Sequence, residues 1–500
     1  MAETATFGSL GLTGLAHAGP EPDAATPVAG LAVDSRQVEG GVVFVAIKGT
    51  LLDGAEFIQF ALRQGAAAIV CTEEGLNTAR QTVETLSVPF FLVPDPRVTL
   101  ASMAARFHLA QPETMIAVTG TNGKTSVADF TRQIWATCGL AAASFGTTGV
   151  AGKGFEEPLS MTTPEPIALH ALLARLADKG CTHAAMEASS HGLAQHRVDG
   201  VRFKAAGLTN ITRDHMDYHK DHDDYVGAKM RLFHNVLPEG GTAVLNTDDP
   251  TFPLARMATP ARGVLGVGRA AVADLRIIGT EYRPDGQDVS FEYAGAQYTA
   301  HLNLIGGFQA DNALLAAGLA IATDVPPAEA FAALDHLTGV RGRMEHVATR
   351  SNGATVYVDY AHTPDALATA LKAIRPHVSG RLIVAGGAGG DRDPGKRVLM
   401  GRAMAANADA VIVTDDNPRS EDPAAIRKAV MEGAPEADNI GDRAEAILSG
   451  IDMLRSAGDV LLIAGKGHEQ GQEIMGVQHP FDDASQARAA VAALDGESVA

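Results

Sequence analysis

A glycine-rich segment carries the clearest chemical signal in the sequence. Residues 115–119 form an apolar, strand-like run, and Gly120, Thr121, Asn122, Gly123, Lys124, Thr125 and Ser126 follow it directly. In such loops glycines let backbone N–H groups curl around phosphate oxygens, a lysine neutralises charge, and a threonine hydroxyl can ligate Mg²⁺. Val118 stands where the usual eight-residue pattern has its first glycine, so the loop is a shortened variant. The alternative is a plain strand-to-helix turn, but the flanking strand and helix favour a triphosphate site.

A histidine- and aspartate-rich segment lies in the middle of the chain. Residues 213–224 contain three histidines and five aspartates, without a cysteine and without the spacing of a usual zinc site. We interpret most of residues 217–224 as the solvated, acidic start of a helix. Asp214 and His215 differ, because they follow a strand-like run and fall where open α/β sheets bind ligands. This pair could serve a magnesium ion beside a triphosphate.

Two single residues lead to opposite expectations. Glu187 follows the strand-like run 183–186, and a buried carboxylate there would lack partners, so we expect a metal ion or a positive charge beside it. Lys229 lies in an amphipathic helical segment, and by itself this position indicates an ordinary surface lysine.

Polar side chains also follow four strand-like runs near the carboxyl terminus. These segments are residues 359–365, 386–393, 414–419 and 465–469. Arginine can bind a carboxylate through two parallel hydrogen bonds, and a glutamate can accept hydrogen bonds from an ammonium group. Each residue alone could instead form a surface salt bridge. Because all four segments follow strands, they could together form a pocket for a zwitterionic amino acid.

The elements that must position these residues are those of an α/β fold. Short apolar runs alternate with helical stretches rich in Ala and Leu, which indicates largely parallel sheets. A link with two prolines at residues 93–97 and a glycine-containing turn at 338–342 suggest domain boundaries. We therefore predict three domains, over residues 1–96, 97–341 and 342–500.

Composition excludes several classes of protein. The chain has 500 residues, 46% of them hydrophobic, and a formal net charge of −19, so it is neither a small disulfide scaffold nor a broadly cationic binder of nucleic acid or lipid. Three isolated cysteines, no basic amino-terminal signal and no apolar stretch of ~20 residues predict a cytoplasmic protein without membrane insertion.

Seven short segments, in this order, resemble those of the Mur ligase family. They are residues 120–125, 162–164, 186–192, 195–197, 214–216, 359–362 and 416–419. The resemblance extends from about Asp34 to Glu469 and is much more specific than the glycine-rich loop alone. It implies an N-terminal UDP-binding α/β domain, a central P-loop ATPase-like parallel sheet and a C-terminal Rossmann-like domain.

The resemblance implies ATP-dependent amide formation in cytoplasmic peptidoglycan precursor synthesis. The D-glutamyl carboxylate of UDP-N-acetylmuramoyl-L-alanyl-D-glutamate would attack the γ-phosphate of ATP, and an amino-acid amine would then displace phosphate from the acyl phosphate. The family's catalytic residues match Lys124, Lys229, His215 and Arg343. Its Mg²⁺ ligands match Thr125, Glu187, His215 and Lys229, the last as a lysine carbamylated by CO₂.

The resemblance also implies which residues bind each substrate. ATP would contact residues 120–126 together with Asn312, Asp359 and His362. The UDP-muramoyl peptide would contact Val33, Ser35, Thr50, Leu51, Leu52, Thr162, Thr163, Ser189, Gln195 and Arg197. The amino acid would contact Arg392, Asp416, Asn417, Pro418, Arg419, Gly465 and Glu469.

Arg419 favours meso-2,6-diaminopimelate as the amino acid. An arginine can grip the distal carboxylate of diaminopimelate, whereas lysine offers no carboxylate there, and lysine-adding relatives typically lack this arginine. The alternatives are an L-lysine-adding ligase, a folylpolyglutamate-type ligase and, from another class, a non-enzymatic ATP-gated binding module. We expect only small-molecule partners, no nucleic acid, and a monomer.

Overall fold

The computed structural model describes residues 4–49, 52–212, 214–216, 218–259 and 263–496. The chain divides into two compact units, one of residues 1–265 and 319–324, the other of residues 266–318 and 325–500. The predicted α/β class is confirmed, while the boundaries expected after residues 96 and 341 stay predictions. In the described part of the chain, no helix has the length and apolarity that a membrane crossing requires.

The first unit begins with a small five-stranded sheet in the order β1-β5-β4-β3-β2. Its strands are β1 (Ala16–Ala18), β2 (Gly30–Ala32), β3 (Val42–Val45), β4 (Ala68–Cys71) and β5 (Phe90–Leu92), and its helices are α1 (Ile58–Arg63), α2 (Glu73–Ala79) and α3 (Pro96–Phe107). β3 and β4 are buried over their whole length, which explains their continuous apolar sequence. The predicted link at residues 93–97 leads into α3, where Asp95 caps the helix and Pro96 is its first residue.

Part of a ten-stranded, mixed sheet follows in the first unit, where six of the strands have the order β11-β10-β6-β9-β7-β8 and are mainly parallel. These strands are β6 (Thr114–Thr119), β7 (Ala142–Gly146), β8 (Gly149–Ala151), β9 (His183–Glu187), β10 (Ala205–Leu208) and β11 (Thr242–Asn246). The helices around it are α4 (Lys124–Thr137), α5 (Pro166–Asp178), α6 (Ser190–Ala194), α7 (His222–Arg231) and α8 (Phe252–Met257). Because β6, β9 and β10 are parallel neighbours, the segments after them emerge at one edge of the sheet.

The second unit contains an antiparallel ribbon and a six-stranded sheet. The chain enters it along β12 (Gly263–Gly268) and continues through β13 (Leu275–Arg283), β14 (Gly286–Tyr293), β15 (Ala296–Leu302), α9 (Phe308–Ile321) and α10 (Pro327–Ala332). The six-stranded sheet has the order β16-β17-β21-β18-β19-β20. Its strands are β16 (Glu345–Thr349), β17 (Thr355–Asp359), β18 (Leu382–Gly386), β19 (Ala410–Val413), β20 (Asp438–Asn439) and β21 (Val460–Ala464).

Helices complete this Rossmann-like region. They are α11 (Pro364–Ile374), α12 (Gly395–Asn407), α13 (Pro423–Met431), α14 (Arg443–Asp452) and α15 (Asp483–Asp495), and a hairpin of β22 (Gly471–Ile474) and β23 (Val477–Pro480) precedes the last of them. Strands β17, β21, β18, β19 and β20 are parallel, so the four polar segments predicted to follow strands emerge at one edge. Buried Arg443 links two of these strand ends, donating to the carbonyls of Asp415 and Ala464 while it pairs with Asp483.

Candidate active site

The glycine-rich segment, called the phosphate loop below (residues 120–126), is held by the residues after β10. Gly120 has φ 145°, and a Cβ there would lie 1.9 Å from Thr209 Oγ1, so no other residue fits. The Thr209 hydroxyl donates to the Asn122 carbonyl at 2.6 Å, and the Thr121 N–H donates to the Asn210 carbonyl at 2.7 Å. These bonds fix the loop directly before the amino terminus of α4, where backbone N–H groups favour an anion.

Two lysines donate to the same backbone oxygen of this loop. The Gly120 carbonyl accepts from Lys124 Nζ at 2.9 Å and from Lys229 Nζ at 2.7 Å. Lys229 is 1% exposed, so the expectation of a surface lysine is wrong: α7 turns this residue inward, onto the loop. Burial, with the charge of Lys124, holds the pKa of Lys229 well below its usual range, although Asp214 opposes that shift.

Glu187 ends β9 and is 1% exposed, as expected for a buried carboxylate. The expectation that it lacks ordinary partners is wrong. Glu187 Oε1 accepts from the Thr147 N–H at 2.7 Å, and Oε2 accepts from the Thr147 hydroxyl at 3.3 Å. Thr147 follows β7, which pairs directly with β9, but the two residues are 40 positions apart, so the sequence around Glu187 could not identify this partner.

The predicted metal ligands offer a donor set suited to Mg²⁺, although the described residues contain no group of three His, Cys, Asp or Glu side chains arranged around a metal. The Glu187 carboxylate and the Thr125 hydroxyl are oxygen donors, as a carbamate on Lys229 would be, and Mg²⁺ prefers oxygen. Both Thr125 and Glu187 are buried close to strand ends at the same edge of the sheet. The residues therefore fit the ion that the sequence suggests.

His215 lies in an aromatic cluster beside α7. It has φ 53°, and its ring is 4.8 Å from that of His191 and 6.3 Å from that of Tyr225, centroid to centroid. Helix α7 does begin with an acidic first turn, capped by Asp221, as the sequence predicts. His219 is an exception to the predicted solvated segment: it is 3% exposed and its Nδ1 lies 3.0 Å from Asp224 Oδ2.

The structure brings together all five predicted peptide-binding residues of the first unit's larger sheet. The Thr163 hydroxyl donates to the Glu187 carbonyl at 3.0 Å and accepts from the Ser189 N–H at 2.9 Å. Thr162 Oγ1 lies 3.0 Å from the hydroxyl of Thr147. Arg197 Nη1 donates to the Thr163 carbonyl at 2.7 Å, and its Nη2 donates to Gln195 Oε1 at 2.7 Å. These residues thus form one hydrogen-bonded group beside Glu187.

The other residues predicted to contact the UDP-muramoyl peptide lie on two loops of the small sheet. Val33 and Leu52 are exposed, and Ser35 begins a short 3₁₀ turn that Asp34 caps. Asp53 caps a second 3₁₀ turn, at Gly54–Phe57. Thr50 and Leu51 lie outside the described residues.

Three of the four predicted catalytic or nucleotide-binding residues of the second unit lie around the end of β17, and they are Arg343, Asp359 and His362. The Asp359 carboxylate accepts from the N–H groups of Met344 at 2.7 Å and Ala361 at 2.9 Å. Burial raises the pKa of Asp359, while Arg343 opposes this. The Arg343 guanidinium lies 4.6 Å from the centroid of the Tyr360 ring.

The two remaining nucleotide-binding candidates of the second unit differ in exposure. His362 is exposed, and its Nδ1 lies 2.9 Å from the Tyr360 carbonyl oxygen. Asn312 is buried in α9 and donates to Gln309 Oε1 at 3.1 Å. The structure therefore groups Arg343, Asp359 and His362, with Asn312 on a separate helix.

The predicted amino-acid pocket, defined here by residues 390–392, 416–419 and 465–469, contains a network of hydrogen bonds. Asn417 Nδ2 donates to Glu469 Oε2 at 2.9 Å, and Arg419 Nη1 donates to the Gly390 carbonyl at 2.8 Å. Asp416 is buried, and its Oδ2 has no hydrogen-bond partner among the described residues. A Cβ at Gly465 would lie 2.4 Å from that oxygen. Arg392 is exposed on the loop after β18, and Pro418 is buried.

Lys466 is a member of this network that the sequence did not single out. It is 0% exposed, and its Nζ donates to Asn417 Oδ1 at 3.1 Å and to Glu469 Oε2 at 3.2 Å. One buried ammonium group thus orients two of the predicted amino-acid ligands. Its place between Gly465 and Gly467, directly after a buried strand, was the available signal.

Comparisons with known proteins agree with this architecture. Residues 27–108 match the family model described as "Mur ligase family, catalytic domain", residues 118–320 match "Mur ligase middle domain", and residues 342–467 match "Mur ligase, glutamate ligase domain". A protein of Chelativorans sp. (strain BNC1), named UDP-N-acetylmuramoyl-L-alanyl-D-glutamate–2,6-diaminopimelate ligase, is 52% identical over 468 residues, which cover 93% of this chain and 95% of that protein.

Solved structures show the same fold. A structure titled as a UDP-N-acetylmuramoyl-L-alanyl-D-glutamate–2,6-diaminopimelate ligase has a TM-score of 0.72 and 32% identity, covering 98% of this chain and 99% of that chain. The MurF ligase from Thermotoga maritima in complex with ADP has a TM-score of 0.59 and 22% identity, covering 87% and 93% of the two chains. The chain belongs to the Mur ligase family.

The contact between Gly146 and Glu187 gives a stability prediction. A Cβ at Gly146 would lie 2.1 Å from Glu187 Oε1, so Gly146→Ala must displace the carboxylate from Thr147. We expect a loss of about 1–3 kcal/mol in unfolding free energy, because overpacking a buried contact has this effect. The same substitution should cost little in a Glu187→Ala background. Chemical denaturation of the four proteins measures this double-mutant cycle.

Gly227→Ala is the matched control for Gly146→Ala. Gly227 lies in α7 with open space around its Cβ position, so alanine there should be neutral or stabilising. An equal cost of Gly146→Ala with and without the Glu187 side chain would show that the carboxylate is not what excludes a side chain at position 146.

Proposed function

We propose that the protein is an ATP-dependent ligase that joins meso-2,6-diaminopimelate to UDP-N-acetylmuramoyl-L-alanyl-D-glutamate. One observation carries the ligase assignment: the phosphate loop accepts a hydrogen bond from a buried lysine, Lys229, and follows β6, whose neighbour β9 ends in the buried carboxylate of Glu187. The names of relatives that are about half identical over nearly the whole chain support the choice of substrates.

The first step is transfer of the γ-phosphoryl group to the D-glutamyl carboxylate. The N–H groups at the start of α4 and the ammonium of Lys124 offset negative charge on the phosphate oxygens. Arg197, Thr163 and Ser189 hold the peptide end of the acceptor, so that its carboxylate approaches the phosphate loop. In this step the protein positions the γ-phosphate and the D-glutamyl carboxylate, and its positive charges reduce the repulsion between these two anions.

Magnesium is the ion that fits the site. Thr125, Glu187, His215 and carbamylated Lys229 would hold it, and it would supply positive charge to the phosphate oxygens when bound. In the second unit, Asn312, Arg343, Asp359 and His362 contribute to nucleotide binding.

The second step is attack of the amino-acid amine on the acyl phosphate. Glu469, oriented by Asn417 and Lys466, accepts hydrogen bonds from an ammonium group of diaminopimelate. Arg419 and Arg392 bind its carboxylates. The neutral amine attacks the acyl carbon and forms the C–N bond, the C–O bond to phosphate breaks, and inorganic phosphate leaves with the proton that the amine gives up. Lysine lacks the second carboxylate and so gains no ion pair with Arg419, whose Nε then keeps its contact of 3.3 Å with Glu473 Oε2.

Phosphate release tests this function directly. Purified protein is given ATP, Mg²⁺ and the UDP-muramoyl dipeptide, and meso-diaminopimelate, L-lysine or L-glutamate is added in turn. We expect sustained release of phosphate when diaminopimelate is added, and none when L-lysine or L-glutamate is added instead. Release with lysine would indicate the lysine-adding alternative. Release without any amino acid would favour an ATP-gated binding module.

Substitution of Arg419 tests its proposed contact with the distal carboxylate of diaminopimelate. Arg419→Ala should raise the KM for diaminopimelate about tenfold or more, because a charged hydrogen bond contributes ~1.5–3 kcal/mol and ~1.4 kcal/mol is a tenfold change. The KM for ATP should stay the same. Arg455→Ala, which removes an exposed arginine paired with Asp452, is the control. Unchanged use of diaminopimelate by Arg419→Ala would refute the assigned role.

The lowered pKa of Lys229 predicts carbamate formation at neutral pH. Carbon dioxide reacts with the neutral amine, and a lysine whose pKa is lowered has more neutral amine at pH 7 than an ordinary lysine. With ¹³C-bicarbonate, the ¹³C NMR spectrum should contain a carbamate signal that Lys229→Met lacks. Lys204→Met, at a partly exposed lysine paired with Asp324, should retain it. A signal that survives in Lys229→Met would place the carbamate elsewhere.

We further propose that the enzyme acts as a monomer in the cytoplasm, where ATP is available. Size-exclusion chromatography with light scattering at assay concentration tests the first point, and fractionation of the cells that produce it tests the second.

A further inference from the structure

Arg197 is fully engaged within the protein. Its Nε and Nη2 donate to Gln195 Oε1, at 3.2 and 2.7 Å, and its Nη1 donates to the Thr163 carbonyl at 2.7 Å and to Met161 Sδ at 3.3 Å. Its Nη2 also lies 2.7 Å from Glu165 Oε1. All three nitrogen atoms of this guanidinium group therefore have partners, and a substrate carboxylate must displace one of them.

The partners of Arg197 differ in how readily they can leave. Gln195 is itself held, since its Nε2 donates to the Tyr218 hydroxyl at 3.0 Å. The Thr163 carbonyl is part of the backbone, and the Thr163 hydroxyl ties that segment to the end of β9. Glu165, by contrast, has a side chain that is 42% exposed, against 11% for Arg197, so solvent can reach its carboxylate when the ion pair breaks. Its carboxylate is the partner that can turn into solvent at the lowest cost.

The backbone at Glu165 is fixed independently of the side chain. Pro164 precedes it, and Pro166 follows it as the first residue of α5. Each proline ring restricts the backbone, and the residue before a proline is held in an extended conformation, as the ψ of 152° at Glu165 shows. The carboxylate can therefore move without any change in the path of the chain.

We propose that Glu165 is an exchangeable counter-ion of Arg197. It pairs with the guanidinium in the free enzyme and gives way to a carboxylate of the bound UDP-muramoyl dipeptide. Two carboxylates cannot share this side of the guanidinium without repulsion, so Glu165 competes with the substrate and lowers its affinity. Glu165 acts through Arg197 and is thus a positioning residue. The inference rests on the proposed function, because it assumes an acceptor that carries a carboxylate.

Glu165→Gln tests the exchange. The amide keeps the shape of the side chain and removes the competing charge, so the KM for the dipeptide should fall about three- to fivefold, in line with the small contribution of exposed ion pairs. The kcat and the KM for ATP should not change. The difference from the wild type should shrink as ionic strength rises, because salt screens exposed charges. A purely structural role of Glu165 would not give this salt dependence.

Glu157→Gln is the matched control. Glu157 Oε1 pairs with Arg175 Nη2 at 2.6 Å, also at a partly exposed position, but Arg175 is not among the substrate-binding residues. Its loss should leave the KM for the dipeptide unchanged. A KM for Glu165→Gln equal to or above that of the wild type would overturn the proposal, since Glu165 would then only hold Arg197 in place.

Calorimetric binding of the dipeptide, without ATP or amino acid, separates this inference from the proposed function. Tighter binding by Glu165→Gln supports the exchange even if the amino acid has been assigned wrongly. Equal binding by the wild type and the variant overturns the exchange while leaving the ligase function intact. A wild-type protein that binds no dipeptide would overturn both.

Discussion

The carbonyl oxygen of Gly120 accepts hydrogen bonds from Lys124 and Lys229, and the candidate site is organised around that shared acceptor. Lys229 is removed from water, and its ammonium group is also repelled by that of Lys124, which donates to the same oxygen. Both effects lower its pKa. The arrangement becomes favourable when negative charge arrives, either as phosphate on the loop or as a carbamate on Lys229.

In both units, the candidate site residues lie at the ends of parallel strands. In the first unit, three groups lie at the ends of neighbouring parallel strands: the phosphate loop, Glu187 and the residues after β10. In the second unit, the ends of parallel strands likewise carry Asp359, the loop after β18, Asp416 and Gly465. Parallel strands end at one edge, where backbone groups are left for ligands. A chain with a net charge of −19 can therefore bind anionic substrates through local arginines, lysines and helix amino termini rather than through an overall field.

Sequence reasoning predicted what depends on neighbouring residues along the chain. The strand before the phosphate loop, the helix that begins at Lys124 and the strands at residues 183, 355, 382, 410 and 460 all lie where apolar runs indicated. The errors concern contacts between distant segments. Burial of Lys229 depends on a residue 109 positions away, and the partner of Glu187 is 40 positions away. No local pattern records such pairs, and only the family resemblance indicated a role for Lys229.

The central claim is that the D-glutamyl carboxylate is activated as an acyl phosphate, and an isotope measurement tests it most directly. UDP-muramoyl dipeptide labelled with ¹⁸O at both oxygens of the D-glutamyl carboxylate that is to be activated is incubated with ATP, Mg²⁺, diaminopimelate and the protein. Mass spectrometry should find one ¹⁸O atom in each inorganic phosphate released, since the phosphate leaves with the oxygen through which it was attached. Amide formation accompanied by unlabelled phosphate would contradict the account.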